Sequence, residues 1–204
     1  MLVVHHAPNT RSVRIVWLME ELGLPYRIVP HRLGDPEMRA PEHLAVNPNG
    51  RVPTLIDGEV TIFESGAIVE YVLARHGGGR LRPAETAPEF PAYLQWLHYA
   101  EGMIMPPVNT IVVETILLAP ERRSEANAAR ALKLLTRTLG AVEGALGDGR
   151  PFLAGAAFTG ADVMTGHACT VARKLGADLS DKPALAAYVE RLNARPALAR
   201  AWSL

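Results

Sequence analysis

Cysteine is almost absent: Cys169 is the only one in 204 residues. A lone thiol excludes an internal disulfide and any Cys-x-x-Cys redox pair, which points to a reducing compartment. Thiol chemistry, if present, must draw its sulfur from a second molecule. A net charge is missing too, because 21 Lys and Arg balance 21 Asp and Glu. No net field draws the chain to nucleic acid or an anionic membrane. The most apolar stretch, Met103 to Val113, is interrupted by Pro106-Pro107 and falls short of the roughly 20 residues of a membrane span. Met1 to His6 lacks the basic segment and apolar run of a secretory signal, so the expectation is a cytoplasmic protein. Neither a metal nor a nucleotide site is expected. His5 and His6 alternate to opposite faces of a strand, His167 falls on a core-like helix face, and no lysine follows Gly77-Gly78-Gly79.

What is present reads as two domains. Residues 1–78 run β-α-β then β-β-α: Leu2 to His5 is strand-like, and a helix carrying Val13, Val16 and Trp17 stops at Gly23 with Pro25 beyond. Tyr26 to Pro30 is the second strand, and residues 31–46 hold a helical segment broken by Gly34, Pro36 and Pro41. Thr54 to Ile56 and Val60 to Phe63 form a hairpin, and residues 65–76 close the unit as a helix. Residues 79–85 read as a linker, marked by glycines and by Pro83. From 86 to 204 the strand pattern disappears. Ala128, Leu132, Leu135, Leu139, Val142 and Leu146 step by four and three, as an internal bundle helix does. Thr159 and Asp162 stand at reciprocal-cap spacing before another apolar period, with the Thr159 hydroxyl expected to accept from the Asp162 amide and Phe158 to pack on Val163. Both residues are read as structural.

The most informative stretch is Asn47-Pro48-Asn49-Gly50-Arg51-Val52-Pro53-Thr54-Leu55, followed by Phe63-Glu64-Ser65-Gly66-Ala67-Ile68. The residue before Pro53 is pushed to extended geometry, with backbone groups able to pair with a peptide-like ligand. Glu64-Ser65 brings a carboxylate, a hydroxyl and bare amides to a helix start. Together they suit a zwitterion.

This arrangement resembles the glutathione transferase family over the whole chain. His5 to Leu24 is similar to the family's first strand and active-site helix, Val52-Pro53 to its cis-proline, Glu64-Ser65 to its γ-glutamyl-binding pair, and Phe158 to Asp162 to its carboxy-terminal helix cap. The resemblance implies an α/β thioredoxin-like domain followed by an all-α domain, a homodimer, and glutathione as co-substrate with no other cofactor. It implies conjugation of the glutathione thiolate to an apolar electrophilic small molecule. Alternatives on the same site are glutathione-dependent disulfide reduction or peroxidase chemistry, or a non-catalytic interaction protein of the same fold.

A thiolate is favoured at a helix amino terminus, and a hydroxyl or carboxamide donor adds to this. The candidates before the first helix are Thr10, then Asn9 and Ser12; no tyrosine or cysteine lies in Pro8 to Ser12. For glutathione itself the resemblance implies backbone pairing at Val52 beside Pro53, and Glu64 and Ser65 for the γ-glutamyl end. Arg51 or His43 would take the glycyl carboxylate. Tyr99 and Met103 are the candidates for the second-substrate pocket.

Overall fold

The computed structural model describes residues 1–204. The chain forms two compact units, Met1–Arg82 with Ala194–Leu204, and Pro83–Asn193. The second unit therefore ends before the last helix, whereas the sequence pattern assigned everything from 86 to 204 to one domain.

The first unit contains β1 (Leu2–His6), α1 (Ser12–Leu22), β2 (Tyr26–Pro30), a 3-10 turn at Pro36–Arg39, α2 (Pro41–Val46), β3 (Thr54–Asp57), β4 (Val60–Phe63) and α3 (Ser65–His76). Helix α1 stops where Gly23 takes the left-handed conformation at φ 63°, which a Cβ disfavours. The four strands lie in the order β2-β1-β3-β4. Strand β1 is parallel to β2 and antiparallel to β3, which is antiparallel to β4. Val4, Val16, Trp17, Met19, Leu55, Ile68 and Val72 are fully buried and form its core.

The last helix of the chain, Pro196–Ser203, belongs to this unit because Arg195 and Arg200 anchor it to α1. Arg195 donates twice to the Glu21 carboxylate at 2.6 and 2.7 Å, and Arg200 donates to Glu20 at 2.5 Å. Ala197, Leu198 and Ala201 are buried on its inner face.

Register decides which loops share an edge of the sheet. His5 pairs with Thr54, Thr54 with Phe63, and His6 with Pro30. The segment after β1, the segment before β3 and the start of α3 after β4 therefore leave the same edge. Two strand spacings are about 10 Å, the reach of an extended tripeptide.

The second unit is helical: α4 (Phe90–Tyr99), α5 (Met105–Val112), α6 (Glu125–Leu146), α7 (His167–Lys174) and α8 (Pro183–Asn193); the terminal helix of the first unit is α9. Ser124 caps α6, its hydroxyl accepting from the Asn127 amide at 3.2 Å. Of the expected stripe, Leu135, Leu139, Val142 and Leu146 are buried, whereas Ala128 and Leu132 are partly exposed. Wide π-helical turns at Ala100–Ile104, Val113–Leu117 and Asp162–Gly166 were not expected. The first runs straight into α5, whose opening turn holds Pro106 and Pro107, so two amide donors are missing within a continuous helical stretch, directly beside the wide turn.

The Thr159–Asp162 pair is structural, with different bonding from the expected reciprocal cap. The Asp162 carboxylate does accept the Thr159 amide at 2.8 Å, but the Thr159 hydroxyl donates to the same carboxylate at 3.1 Å, and the Asp162 amide bonds to the Thr159 carbonyl. The other carboxylate oxygen accepts from the Leu153 amide at 3.0 Å and the Tyr188 hydroxyl at 2.7 Å. Asp162 is a fully buried hub joining three segments.

Gly166, in the same wide turn, lets α8 approach closely. A Cβ there would stand 2.3 Å from Leu192 Cδ1 and 2.9 Å from the Tyr188 hydroxyl oxygen. Gly166→Ala is expected to lower stability, because overpacking of about 1 to 3 kcal/mol outweighs the gain in helix propensity, about 1 kcal/mol. Thermal unfolding is the check; an unchanged or raised Tm would mean that the buried Leu192 side chain gives way freely.

Candidate functional site

The segment Ala7 to Ser12 is held by a dense hydroxyl network. Asn9 is exposed and left-handed at φ 59°. Thr10 is half-buried; its Oγ1 donates to the Ala7 carbonyl at 2.7 Å, lies 2.7 Å from Ser12 Oγ, and accepts from the Ser12 amide at 3.2 Å. Ser12 is fully buried at the first position of α1. Its Oγ accepts from the Ala7 amide at 3.0 Å and lies 2.9 Å from His6 Nδ1 and 3.1 Å from the Ala7 carbonyl. Ser12 thus stands behind Thr10 in this network. The first turn of α1 holds no acidic residue that would offset its positive pole. Burial holds the His6 imidazole below its ordinary pKa, against an opposing hydrogen bond from Ser12.

The segment before β3 is organised around the Arg51 carbonyl, which accepts from His43 Nε2 at 3.0 Å and from Asn47 Nδ2 at 2.9 Å. Buried Asn47 also donates to Thr54 Oγ1 at 3.1 Å and accepts from the Asn49 amide at 3.1 Å. The Arg51 side chain is exposed, the Val52-Pro53 bond is cis, and Val52 precedes Thr54, the first paired residue of β3. Gly50 has φ 59°, and a Cβ on it would stand 2.7 Å from the Met38 carbonyl oxygen. His43 was expected near a ligand carboxylate. It is instead buried, with Nε2 holding the Arg51 backbone.

Glu64 is exposed at φ 74°, ψ 114°, a conformation costing a residue with a Cβ on the order of 1 to 3 kcal/mol and concentrated at ligand sites. Ser65 is buried at the start of α3, and its Oγ accepts from Arg14 Nη1 at 2.9 Å. That bond leaves the Ser65 hydroxyl proton available for an anion. Arg14 is wholly buried. The signal that marks it in the sequence is an arginine on the apolar run Val13 to Leu18.

The two second-substrate candidates have different surroundings. The Tyr99 hydroxyl donates to the Thr138 carbonyl at 2.8 Å and its ring packs on Trp96, so Tyr99 ties α4 to α6, while Met103 is exposed. Cys169 is buried, and burial pushes its thiol up to about 12, which leaves it inert as a nucleophile.

One cluster of histidines has no counterpart among the sequence motifs. His5, on the sheet face opposite His6, meets His31 and His43. Burial, then the neighbouring His31 and His43, push the His5 imidazole down to about 4. Burial also lowers His31, followed by the neighbouring His43, while Glu37 and Asp35 oppose the shift.

Residues 1–74 match the family model for the glutathione S-transferase N-terminal domain, and residues 104–196 that for its C-terminal domain. Glutathione S-transferase 4 of Zea mays is 35% identical over 194 residues, 90% of this chain and 83% of that protein. The match to glutathione S-transferase 3 of Schizosaccharomyces pombe is 37% over 106 residues, 52% of this chain and 43% of that protein. A disulfide-bond oxidoreductase of Escherichia coli is 28% identical over 98% of this chain and 94% of its own length. The crystal structure of a glutathione transferase of Phanerochaete chrysosporium in complex with oxidized glutathione superposes with a TM-score of 0.87 at 27% identity, covering 99% of this chain and 94% of that one. Both halves of the chain and the order of its site segments lead to the same conclusion: the protein belongs to the glutathione S-transferase family.

Proposed function

We propose that this chain binds glutathione along the sheet edge formed by Thr10, Val52 and Glu64-Ser65 and conjugates its thiolate to an apolar electrophile. The observation that carries the reading is the meeting of three segments at one edge, with Ser65 backed by the buried guanidinium of Arg14. In this reading the γ-glutamyl amine meets Glu64, its carboxylate meets Ser65 Oγ and the bare amides of α3, and the cysteinyl backbone pairs with Val52. The exposed Arg51 takes the glycyl carboxylate.

The sulfur then lies toward Thr10. The hydroxyl proton of Thr10 turns from the Ala7 carbonyl to the thiolate by rotation about one bond, while Ser12 keeps the oxygen in place. Lowering a thiol pKa by about two units from about 8.5 needs about 2.7 kcal/mol. A hydrogen bond to a charged group contributes about 1.5 to 3 kcal/mol and a helix terminus about 0.3 to 2 kcal/mol. One hydroxyl and the start of α1 suffice. The thiolate attacks the electrophilic carbon, a C–S bond forms, and the leaving group departs with its electron pair.

An ultraviolet titration of the thiolate in the glutathione complex tests the assignment. Thr10→Val is expected to raise the midpoint by about one to two units, each worth 1.36 kcal/mol, and to slow turnover near neutral pH with little change in glutathione affinity. A midpoint moved only by Asn9→Ala, or by no variant, overturns it. A second reading, reduction of disulfides by two glutathiones, is favoured by the similarity to the Escherichia coli disulfide-bond oxidoreductase. Buried Cys169 leaves glutathione as the sulfur source there as well. Rates with an aryl halide, an organic hydroperoxide and a mixed disulfide separate the two reactions.

A further inference from the structure

We propose that His5, His31 and His43 form a binding site for one divalent transition-metal ion, zinc in the first instance, on the face of the sheet opposite α1. The three residues come from β1, the segment after β2, and α2, and a ring nitrogen of each lies within 4.8 Å of those of the other two. Imidazole suits zinc, copper and nickel, and three protein ligands with a fourth position for water is a common zinc arrangement. Zinc–nitrogen bonds of about 2.0 to 2.1 Å place tetrahedral ligand atoms roughly 3.3 Å apart. His5 Nδ1 and His31 Nε2 already stand 3.0 Å apart. The remaining approach falls to side-chain rotation, and His31, half-exposed, has the room.

His43 supplies a second and independent observation. Its Nε2 faces the Arg51 carbonyl at 3.0 Å, and a carbonyl only accepts, so the ring proton sits on Nε2. The other nitrogen, Nδ1, is therefore a lone pair, and it is buried with no hydrogen-bond partner. His43 is only 5% exposed, and a bare acceptor held beside two further imidazoles is prepared for a cation. Its Nε2–H bond to a backbone carbonyl is the outer contact that orients metal-bound histidines. Asp35 and Glu37 lie near enough to act on His31 and favour a cation, while Arg27 acts on His5 with the opposite sign. When the ion binds, the proton between His5 Nδ1 and His31 Nε2 moves to the second nitrogen of the ring that carries it, and both lone pairs turn to the metal.

The test uses the full chain without a histidine tag, stripped with chelator and desalted. Zn(II) and Co(II) are titrated separately, against a chromophoric chelator and by cobalt d–d absorption. One equivalent per chain is expected, with tetrahedral cobalt bands and a zinc-dependent rise in Tm. His31→Ala should weaken binding at least about a hundredfold, and exposed His98→Ala should change nothing. Circular dichroism verifies that the variants fold. Absence of stoichiometric binding, or binding unchanged in His31→Ala, overturns the proposal.

Discussion

Asp162→Ala is expected to lower the stability of the helical unit by about 3 to 5 kcal/mol, because it strands four buried donors at once. These are the Leu153 and Thr159 amides and the Thr159 and Tyr188 hydroxyls. Each orphaned donor costs about 1 to 3 kcal/mol before relaxation, and native domains hold only about 5 to 15 kcal/mol in total. Burial raises the Asp162 carboxyl above the ordinary range, and the same four bonds oppose that shift. Tyr188→Phe removes one of the donors together with its bond and should cost about 1 kcal/mol. Denaturant unfolding orders the pair. If Asp162→Ala unfolded at the same midpoint as Tyr188→Phe, the carboxylate would not be the hub the geometry indicates.

Arg14→Met is expected to weaken glutathione binding at least about thirtyfold, corresponding to about 2 kcal/mol or more for the loss of a buried charge behind a ligand carboxylate. Methionine keeps the length of the side chain in a site of no solvent exposure, and circular dichroism verifies that the variant folds. Ser65→Ala should cost at least about tenfold. The double variant should fall short of the product, because Arg14 and Ser65 are hydrogen-bonded to one another. Isothermal calorimetry decides it: wild-type affinity in Arg14→Met would remove the guanidinium from the site and with it the proposed orientation of the γ-glutamyl group.

Local physics made much of the molecule legible. Strand alternation, the left-handed stop at Gly23, the hairpin of β3 and β4 and the buried stripe of α6 all depend on residues within a few positions of one another. The candidate loops were legible for the same reason. Pro53 and Glu64-Ser65 announce themselves through what a proline and a helix start do to their own backbones. Even the reading of Thr159 and Asp162 as structural came from their three-residue separation.

The remainder required strands and helices to be brought together. Arg14 looks like a misplaced charge until α1 packs beside α3 and its guanidinium reaches Ser65, 51 positions away. Helix α9 has an amphipathic pattern like those of the bundle helices, and only its packing on α1, with Ala197, Leu198 and Ala201 buried and Arg195 and Arg200 meeting Glu21 and Glu20, assigns it to the first unit. His5, His31 and His43 have no metal-binding spacing in the sequence, yet the parallel pairing of β1 with β2 and the position of α2 gather them. Sequence by itself determined the elements and the residue types offered to a ligand, because propensity, capping and periodicity act over a turn or a strand. Sheet order and register decided which of those residues stand side by side, because contacts between distant segments exist only once the hydrophobic core has aligned them.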